Sequence, residues 1–332
     1  MTDQDAYHPK VAAVPFNGLP LVLNAREVAE LIPKIDSMNA MRCAFRGLGD
    51  GTAVQPAQLH TLLPNGQGDF ITYLGALGDR GVFGAKLSPY LPQREGAIVT
   101  AWTLLLSMET GEPLLLCDSK QLTAERTAAT TALAVDLLAL PSVTRLSVIG
   151  SGALAQAHIR HLRGVREWTE IRVYSPRLIA AVARQEALAA LDPRVRVEPG
   201  LGCAVENAEV IVLCTSSGTP VLDPDILNSP ALITSISGDV ARAHEVPPGS
   251  LSDMDVYCDH RASAPLTAGE MTIAAADYGW SANSIRGDLP ELLIGRAKRP
   301  SYTRNAFFRS IGLGIEDVAM ASAMLRVVQA SI

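Results

Sequence analysis

The sequence predicts an α/β fold that contains a Rossmann-type doubly wound sheet. An apolar run, Leu146–Ile149, ends in the glycine-containing turn Gly150–Ala155, and a helix-forming segment follows at once. Strand and helix patterns then alternate as far as residue 258, which is typical of a parallel sheet covered on both faces. Earlier in the chain, Val54–Cys117 consists of short apolar segments broken by glycines, which indicates antiparallel strands in a separate α+β region.

Composition excludes several classes of protein. With 332 residues, 48% of them hydrophobic and 19% charged, the chain can form two domains or one large one. A net charge of −6 without a basic cluster argues against a nucleic-acid partner, and no apolar run is long enough for a membrane span. The five scattered cysteines and the acidic start of the chain, which does not resemble a signal peptide, predict free thiols in the cytoplasm. We interpret His158 and His161 as a solvated surface pair on one helix, with no metal site.

The first third of the chain combines helical and strand patterns. Residues 1–22 have no strong pattern and are expected to form an arm. Asn24 and Glu27 have the spacing of a capping box that opens a helix, and Pro33 can begin a second helix that runs to about Gly47. The strands predicted next are Leu59–Leu63, Phe70–Leu74, Val82–Leu87, Ala97–Met108 and Pro113–Cys117.

From residue 119 onward the pattern is α/β. A long helix rich in alanine and leucine is predicted over residues 119–140 and ends at Pro141. The strands predicted after it are Leu146–Ile149, Ile171–Tyr174, Val195–Val197, Val210–Cys214, Ala231–Ser237 and Val256–Cys258. A segment containing glycine, proline and arginine follows over Arg286–Arg304, and residues 315–329 have helical periodicity with an apolar face.

The turn after the first α/β strand has the pattern of a dinucleotide-binding loop. Gly150 permits a tight turn, Gly152 lets the backbone approach a pyrophosphate, and Ala155 is small enough for the helix to pack on the strand. The free amides of Ser151, Ala153 and Leu154 and the helix dipole would attract the phosphates. This pattern predicts a bound nicotinamide or flavin dinucleotide.

The end of the next strand favours NADP over NAD. NAD sites usually place an acidic residue there, about twenty residues after the glycine turn, to bind the ribose hydroxyls. This chain has Tyr174-Ser175-Pro176-Arg177 instead. The Ser175 hydroxyl and the Arg177 guanidinium can bind a 2′-phosphate; the alternative is that Arg177 is one more exposed arginine at a helix start.

Four motifs in order along the chain resemble the ornithine cyclodeaminase/mu-crystallin family. They are Arg126-Thr127-Ala128-Ala129-Thr130, the Gly150–Ala155 turn, Ser237-Gly238-Asp239 after a strand, and Gly312-x-x-Ile315-Glu316-Asp317. The resemblance implies a discontinuous α+β domain for substrate binding and dimerisation, residues 1–122 and 307–332, around a Rossmann domain at 123–306. It also implies a homodimer in which a nicotinamide exchanges hydride with the α-carbon of an amino or imino acid.

The resemblance assigns roles to individual residues. Lys86 would face the substrate, holding its carboxylate and passing a proton, and Arg126 would bind the same carboxylate beside the cofactor. Asp239 would accept a proton and activate water, although it could also cap a helix. The further positions that match cofactor contacts of the family are Thr100, Arg126, Thr127, Thr215, Ser237, Gly238 and Ser310.

Two positions depart from the family pattern. Gln58 stands where the family has a first carboxylate-binding arginine, and Tyr73 stands where cyclodeaminases have a carboxylate that helps to hold substrate amines. Glutamine adds no charge, so substrate anchoring would depend more on Lys86 and Arg126. Both departures argue against ornithine as the substrate.

Three functions follow from the resemblance. The first is an NADP-dependent L-amino-acid dehydrogenase, or in reverse a ketimine reductase acting on a substrate such as pyrroline- or piperideine-2-carboxylate. The second is an ornithine cyclodeaminase-type lyase that retains its cofactor, and the third is a non-catalytic NADPH-dependent binding protein. A base at Asp239 favours oxidative deamination, which must add water to an imine, and an NADP-like strand end favours an exchangeable cofactor. The sequence therefore predicts an oxidoreductase.

Overall fold

A computed structural model describes residues 19–94, 96–236 and 242–331. The described chain forms two compact units. Unit 1 comprises the described residues up to Arg126 together with those from Leu313 onward, and unit 2 comprises those from Thr127 to Gly312. Each unit contains an eight-stranded sheet.

The strands are β1 (Leu21–Leu23), β2 (Ala53–Val54), β3 (Leu59–Leu62), β4 (Asp69–Leu77), β5 (Val82–Gln93), β6 (Gly96–Val99), β7 (Trp102–Ser107), β8 (Pro113–Asp118), β9 (Arg145–Ile149), β10 (Glu170–Tyr174), β11 (Val195–Val197), β12 (Val210–Leu213), β13 (Leu232–Ser235), β14 (Asp255–Cys258), β15 (Gly287–Asp288) and β16 (Ala306–Arg309). The helices are α1 (Ala25–Leu31), α2 (Ser37–Asp50), α3 (Lys120–Leu138), α4 (Ala153–Leu162), α5 (Val182–Ala189), α6 (Leu201–Val205), α7 (Ala264–Thr267), α8 (Gly269–Asp277), α9 (Leu289–Leu293) and α10 (Gly314–Gln329). None of these helices combines the length and hydropathy that crossing a membrane requires.

Unit 1 is built on a mostly antiparallel sheet with the strand order β1-β8-β7-β5-β4-β2, while β3 pairs with β4 and β6 with β5. Helix α10 packs against β4 and β5 on one face of this sheet. The alternation of side chains places Leu74, Phe83, Leu87 and Trp102 on the opposite face, where they are between 38% and 47% exposed. One face of the sheet is thus covered, and the other presents apolar side chains to solvent.

Unit 2 has the predicted doubly wound sheet. Its strands follow the order β11-β10-β9-β12-β13-β16-β14-β15, and all of the pairings are parallel. The order reverses direction at β9 and β12, so a crevice opens outside the carboxyl ends of these two strands. Near-continuous burial of strands β12, β13, β14 and β16 matches a parallel sheet covered on both faces. The predicted fold class is confirmed.

Some predictions of local structure are confirmed, and others are wrong in detail. The Asn24–Glu27 capping box is present and begins α1. Pro33 begins a single 3₁₀ turn, and the helix after it is capped instead by the Asp36 carboxylate, which accepts the Asn39 amide. The predicted arm is wrong at its end, because Leu21–Leu23 pairs in parallel with β8. Such a short strand gives almost no periodic signal of its own.

The largest error concerns the segment before the last helix. No strand is predicted beyond residue 258, yet β16 lies inside the sheet, between β13 and β14. All four of its residues are buried, and the charged residues Arg304, just before it, and Arg309, at its end, weaken its apolar pattern. Long-range pairing, not local pattern, decides that this segment is a strand.

Candidate active site

Two buried cations face each other in unit 1. Lys86 extends from β5 and Arg126 from α3, and their exposed fractions are 1% and 5%. Burying an ionised side chain costs several kcal/mol unless nearby charges and hydrogen bonds compensate. The site must therefore supply acceptors for both cations.

The compensating carboxylates come from the first turn of α10. Asp317 Oδ1 lies 3.0 Å from Lys86 Nζ and 3.3 Å from Arg126 Nε. Glu316 Oε2 lies 3.3 Å from Arg126 Nη1, and its other oxygen accepts the backbone amide of Leu313 at 2.9 Å. The four side chains form a buried cluster with balanced charge, which we name the carboxylate-binding cluster after the role that the resemblance predicts for Lys86 and Arg126. Glu316 and Asp317 were recognised only as part of a motif, without a role.

The cluster tunes its two cations in opposite directions. Burial, together with repulsion from Arg126, lowers the pKa of Lys86 to about 8, although the attraction of Asp317 and Glu316 partly opposes both effects. Burial also disfavours the charged form of Arg126, but Asp317 and Glu316 outweigh it and raise the pKa of Arg126 above its ordinary value. Arg126 is therefore a permanent cation, whereas Lys86 can gain or lose a proton near neutral pH.

Close backbone packing brings α10 to this position. A Cβ atom on Gly314 would lie 2.1 Å from the carbonyl oxygen of Leu74, and one on Gly75 would lie 2.7 Å from the amide nitrogen of Ile315. The absence of side chains at these two glycines lets the start of α10 touch β4. As a result, Glu316 and Asp317 reach Lys86 on the neighbouring strand.

Neutral groups complete the surroundings of Lys86. Tyr73 lies opposite Lys86 in the β4–β5 ladder, and Lys86 Nζ lies 4.1 Å from the centre of its ring, a cation–π contact. The Thr123 hydroxyl accepts a hydrogen bond from Nζ at 3.3 Å. Gln58 lies between β2 and β3, and the nearby Gln55 side chain accepts the Ile315 amide at 3.0 Å, a role the sequence did not reveal.

The glycine turn of unit 2 has the geometry that a pyrophosphate requires. Gly150 adopts a φ of 139°, and a Cβ atom there would lie 2.6 Å from the Cys214 carbonyl oxygen. Gly152 precedes α4 without a side-chain cap, and no atom lies within 4 Å of the position that its Cβ would occupy. Ala155 is fully buried under the sheet. Open space in front of an uncapped helix start fits a dinucleotide.

Ser175 and Arg177 lie beside this turn. The Gly150 amide donates to the Tyr174 carbonyl at 2.9 Å, so the carboxyl ends of β9 and β10 are adjacent. Leu178 N donates to Ser175 O at 2.9 Å, which closes a turn that leaves Arg177 exposed. Helix α5 begins after this turn, at Val182. Ser175 and the exposed Arg177 thus lie after the carboxyl end of β10, beside the glycine turn.

Thr215 follows β12, and its hydroxyl is engaged by a buried carboxylate. Glu245 has an exposed fraction of 0% and accepts the Thr215 amide and hydroxyl, both at 2.8 Å. Its second oxygen accepts the Ser235 hydroxyl at 2.8 Å and the Ile236 amide at 3.2 Å. Glu245 therefore joins the ends of β12 and β13 at the crevice. No local pattern in the sequence indicated this residue.

Ser310 is held in the same way after β16. Its hydroxyl donates to Asp259 Oδ2 at 3.0 Å, and the same oxygen accepts the Ile311 and Gly312 amides. Burial raises the pKa of Asp259, although these hydrogen bonds oppose the effect. Because Thr215 and Ser310 both donate to buried carboxylates, their hydroxyl oxygens can offer a ligand only lone pairs.

A second buried ion pair lies beside Glu245. Arg309 Nε lies 3.0 Å from Glu270 Oε1, and Arg309 Nη1 donates to the Ser235 hydroxyl at 3.2 Å. Burial raises the pKa of Glu270, while Arg309 opposes this effect. The polar groups Thr215, Glu245, Ser235, Arg309 and Glu270 thus form one connected network at the carboxyl ends of three strands. This network connects the ends of the three strands beside the crevice, and it was not predicted from the sequence.

The remaining predicted site residues are placed as follows. Thr100 follows β6 in unit 1, and Thr127 is a buried residue of α3. Ser151, Ala153 and Leu154 lie in the glycine turn and the first turn of α4. Ser237, Gly238 and Asp239 lie outside the described residues.

The prediction of a solvated histidine pair is wrong for His158. Its side chain is fully buried, and its ring nitrogens contact the Leu154 carbonyl at 2.7 Å and the Thr131 hydroxyl at 3.0 Å. Contact with α3 buries a face of α4 that was predicted to be exposed to solvent. Across the described ranges, no group of three or more histidine, cysteine, aspartate or glutamate residues could hold a metal ion.

Comparisons with known proteins identify relatives of this chain in sequence and in fold. The NAD(P)H-dependent anabolic L-arginine dehydrogenase DauB of Pseudomonas aeruginosa is 53% identical over 311 residues, covering 94% of this chain and 98% of that protein. An archaeal alanine dehydrogenase dimer with bound NAD superposes with a TM-score of 0.85 at 26% identity, covering 94% of this chain and 97% of the other.

A third relative supports the fold alone. The Δ1-pyrroline-2-carboxylate reductase of Thermococcus litoralis, solved with NADH and L-proline, has a TM-score of 0.86 at 22% identity and covers 94% of this chain and 98% of its own. The ornithine cyclodeaminase/mu-crystallin family model matches residues 19–330. The chain belongs to the ornithine cyclodeaminase/mu-crystallin family.

Proposed function

We propose that this chain is an NADP-preferring L-amino-acid dehydrogenase that acts on a basic amino acid such as L-arginine. The broader prediction, an NAD(P)-dependent oxidoreductase of amino or imino acids, is confirmed by relatives with that activity, including one at 53% identity. The observation that carries the proposal is the carboxylate-binding cluster, in which Lys86 and Arg126 are buried together. Two buried cations suit the anionic group that all α-amino acids share, the α-carboxylate.

The cluster implies how a substrate is held. The donors of Lys86 and Arg126 are shared with Asp317, so an incoming carboxylate must compete with Asp317 for them. The permanent charge of Arg126 provides an anchor at any pH, and Lys86 adds a second charge while it is protonated. A carboxylate held at two points fixes the direction in which the α-hydrogen points.

A dinucleotide held at the Gly150–Ala155 turn would supply a nicotinamide as the hydride acceptor, so that a substrate whose α-ammonium group has lost a proton would become an iminium ion. Water then adds to the carbon–nitrogen double bond, a proton leaves, and loss of ammonia gives the 2-oxo acid. We assign to Asp239 the removal of that proton, because a carboxylate also stabilises the positive charge that develops on the substrate. Lys86 holds the carboxylate during these steps.

Preference for NADP is supported by Ser175 and Arg177 at the end of β10. In the described part of the chain, the Arg177 side chain is exposed and forms no hydrogen bond or ion pair, so it is available to a 2′-phosphate. Arg177→Ala should weaken NADP binding by about 1.5–3 kcal/mol, the range for a hydrogen bond to a charged group, and leave NAD binding unchanged. Arg184→Ala, another exposed arginine in α5, is the matched control. Equal losses for both cofactors would contradict the proposal.

A homodimer is supported by the open face of the unit 1 sheet. Leu74, Phe83, Leu87 and Trp102 form an apolar surface there, of a kind that mostly marks an interface. The substitutions Phe83→Lys and Leu87→Lys together should produce a monomer, whereas Val182→Lys on exposed α5 should not. Light scattering at micromolar concentration distinguishes the two states. A monomeric wild-type protein would rule the homodimer out.

A substrate screen tests the proposed activity directly. Purified protein is supplied with NADP and each of the common L-amino acids, and reduction of the nicotinamide is followed by its ultraviolet absorbance. We expect L-arginine to give the highest rate and L-ornithine a much lower one. A rate confined to cyclic imines with NADPH would instead identify a ketimine reductase. Conversion of ornithine to proline without net NADPH formation would identify a cyclodeaminase.

A further inference from the structure

A small cavity in unit 1 lies away from the carboxylate-binding cluster. It is enclosed by α2, the turn between β4 and β5, and the second half of α10, and Arg80, Ser322 and Arg326 line it. The centre of a water-sized particle can move within about 10 Å³ of it, so the cavity has room for one water molecule or one monatomic ion. A single small particle fits this space, and an organic acid does not.

Three donors of this cavity are buried without an acceptor. Among the described residues, Arg80 Nη1, Arg326 Nε and Ser322 Oγ have no hydrogen-bond partner. The Arg80 side chain is only 7% exposed and Ser322 is 1% exposed, so bulk solvent does not satisfy them. Buried donors without partners are rare in native proteins, and each usually indicates a bound water or ion.

The charges around the cavity decide between these two occupants. The cavity lining contains two arginines and one carboxylate, Asp79, which lies 3.3 Å from Arg80 Nε and is 43% exposed. Burial lowers the pKa of Arg326, and repulsion from Arg80 lowers it further. A water molecule would satisfy hydrogen bonds but leave one positive charge uncompensated. A monovalent anion provides both.

We propose that this cavity is a binding site for one small inorganic anion, such as chloride, held by Arg80 Nη1, Arg326 Nε and Ser322 Oγ. The anion joins α10 to the β4–β5 turn and so stabilises unit 1. The site is independent of the proposed enzymatic function, since its residues do not belong to the carboxylate-binding cluster.

Bromide tests the location of the site. Crystals of the wild-type protein grown in bromide should show an anomalous peak between Arg80 and Arg326, because bromide replaces chloride and scatters anomalously. Water in the cavity would give no such peak. Bromide found only at exposed arginines, with none in the cavity, would overturn the proposal.

Thermal unfolding tests the energetic role. At constant ionic strength, replacing gluconate by chloride should raise the unfolding midpoint of the wild-type protein saturably, by roughly 2–5 °C. Arg326→Met should abolish this dependence, whatever the stability of the variant without chloride. Arg26→Met is the matched control, since Arg26 is exposed and pairs with Glu30. The proposed site would be refuted if chloride left the unfolding midpoint of the wild-type protein unchanged, or if the midpoint of Arg326→Met still rose with chloride.

Discussion

The two polar centres of this protein are built in different ways. In unit 1, the carboxylate-binding cluster takes full charges from three elements, β5, α3 and α10, which are far apart in sequence. In unit 2, the nucleotide-binding edge is the continuous turn Gly150–Ala155, which offers a ligand its backbone shape and its free amides. The first depends on charges that only folding brings together, and the second on local backbone geometry. Substitutions in the cluster should therefore change substrate binding and turnover, whereas substitutions in the turn should change cofactor binding and stability.

The largest effect is expected for Asp239→Asn. This change keeps the size of the side chain but removes its basicity, and a positioned general base contributes roughly 10²–10⁴-fold to turnover. NADP affinity, which belongs to the nucleotide-binding edge, should be nearly unchanged. Measurement of turnover and of NADP binding checks both parts. Full turnover in Asp239→Asn would make neutral Lys86 or a bound water the base instead.

Arg126→Ala should act on substrate binding within the carboxylate-binding cluster. Removing one partner of a buried charge pair costs about 2–5 kcal/mol, so the Michaelis constant for the amino acid should rise by roughly 30- to 4,000-fold. Arg26→Ala, in exposed α1, is the control and should have normal constants. Steady-state kinetics with the substrate found in the screen makes the comparison. An unchanged Michaelis constant would show that the carboxylate binds elsewhere.

Substitutions at two glycines of the Gly150–Ala155 turn distinguish the effect of backbone shape on stability from the effect of ligand contact on cofactor binding. Gly150→Ala places a Cβ atom 2.6 Å from the Cys214 carbonyl at a φ of 139°, and we expect a loss of stability of about 1–3 kcal/mol. Gly152→Ala meets no protein atom within 4 Å, so thermal unfolding without cofactor should be unchanged. Its methyl group should nevertheless weaken cofactor binding by about 1–3 kcal/mol through overpacking. Equal cofactor affinity in Gly152→Ala would contradict the placement of the pyrophosphate.

The smallest effect is a pH dependence specific to unit 1. Lys86 has a pKa of about 8, so its charge is present below that pH and lost above it. The inhibition constant of a competitive carboxylate without an amine should therefore be constant below pH 8 and rise above it, by up to about tenfold per pH unit. In Lys86→Arg the guanidinium stays charged, and the rise should disappear. A rise that persists in Lys86→Arg would mean that another group titrates.

Features with local causes could be predicted from the sequence. The capping box of α1, the glycine turn and the strand–helix alternation each depend on residues within a few positions of one another. Lys86 and Arg126 were also identified, but only through the resemblance to a family, since neither has a local pattern that marks it as buried. Two buried cations require anionic partners, but the sequence does not indicate which carboxylates these partners are.

Tertiary structure alone decided the rest. Glu316 and Asp317 become partners of Lys86 because Gly75 and Gly314 let α10 touch β4, a contact between segments more than two hundred residues apart in the numbering. Strand β16, the Glu245 network and the burial of His158 likewise arise from long-range contacts. Sequence therefore determined the local backbone shapes and the fold class, because propensities and turns act over short distances. The electrostatic partners of the buried charges were set by packing, because desolvation acts only once the elements have come together.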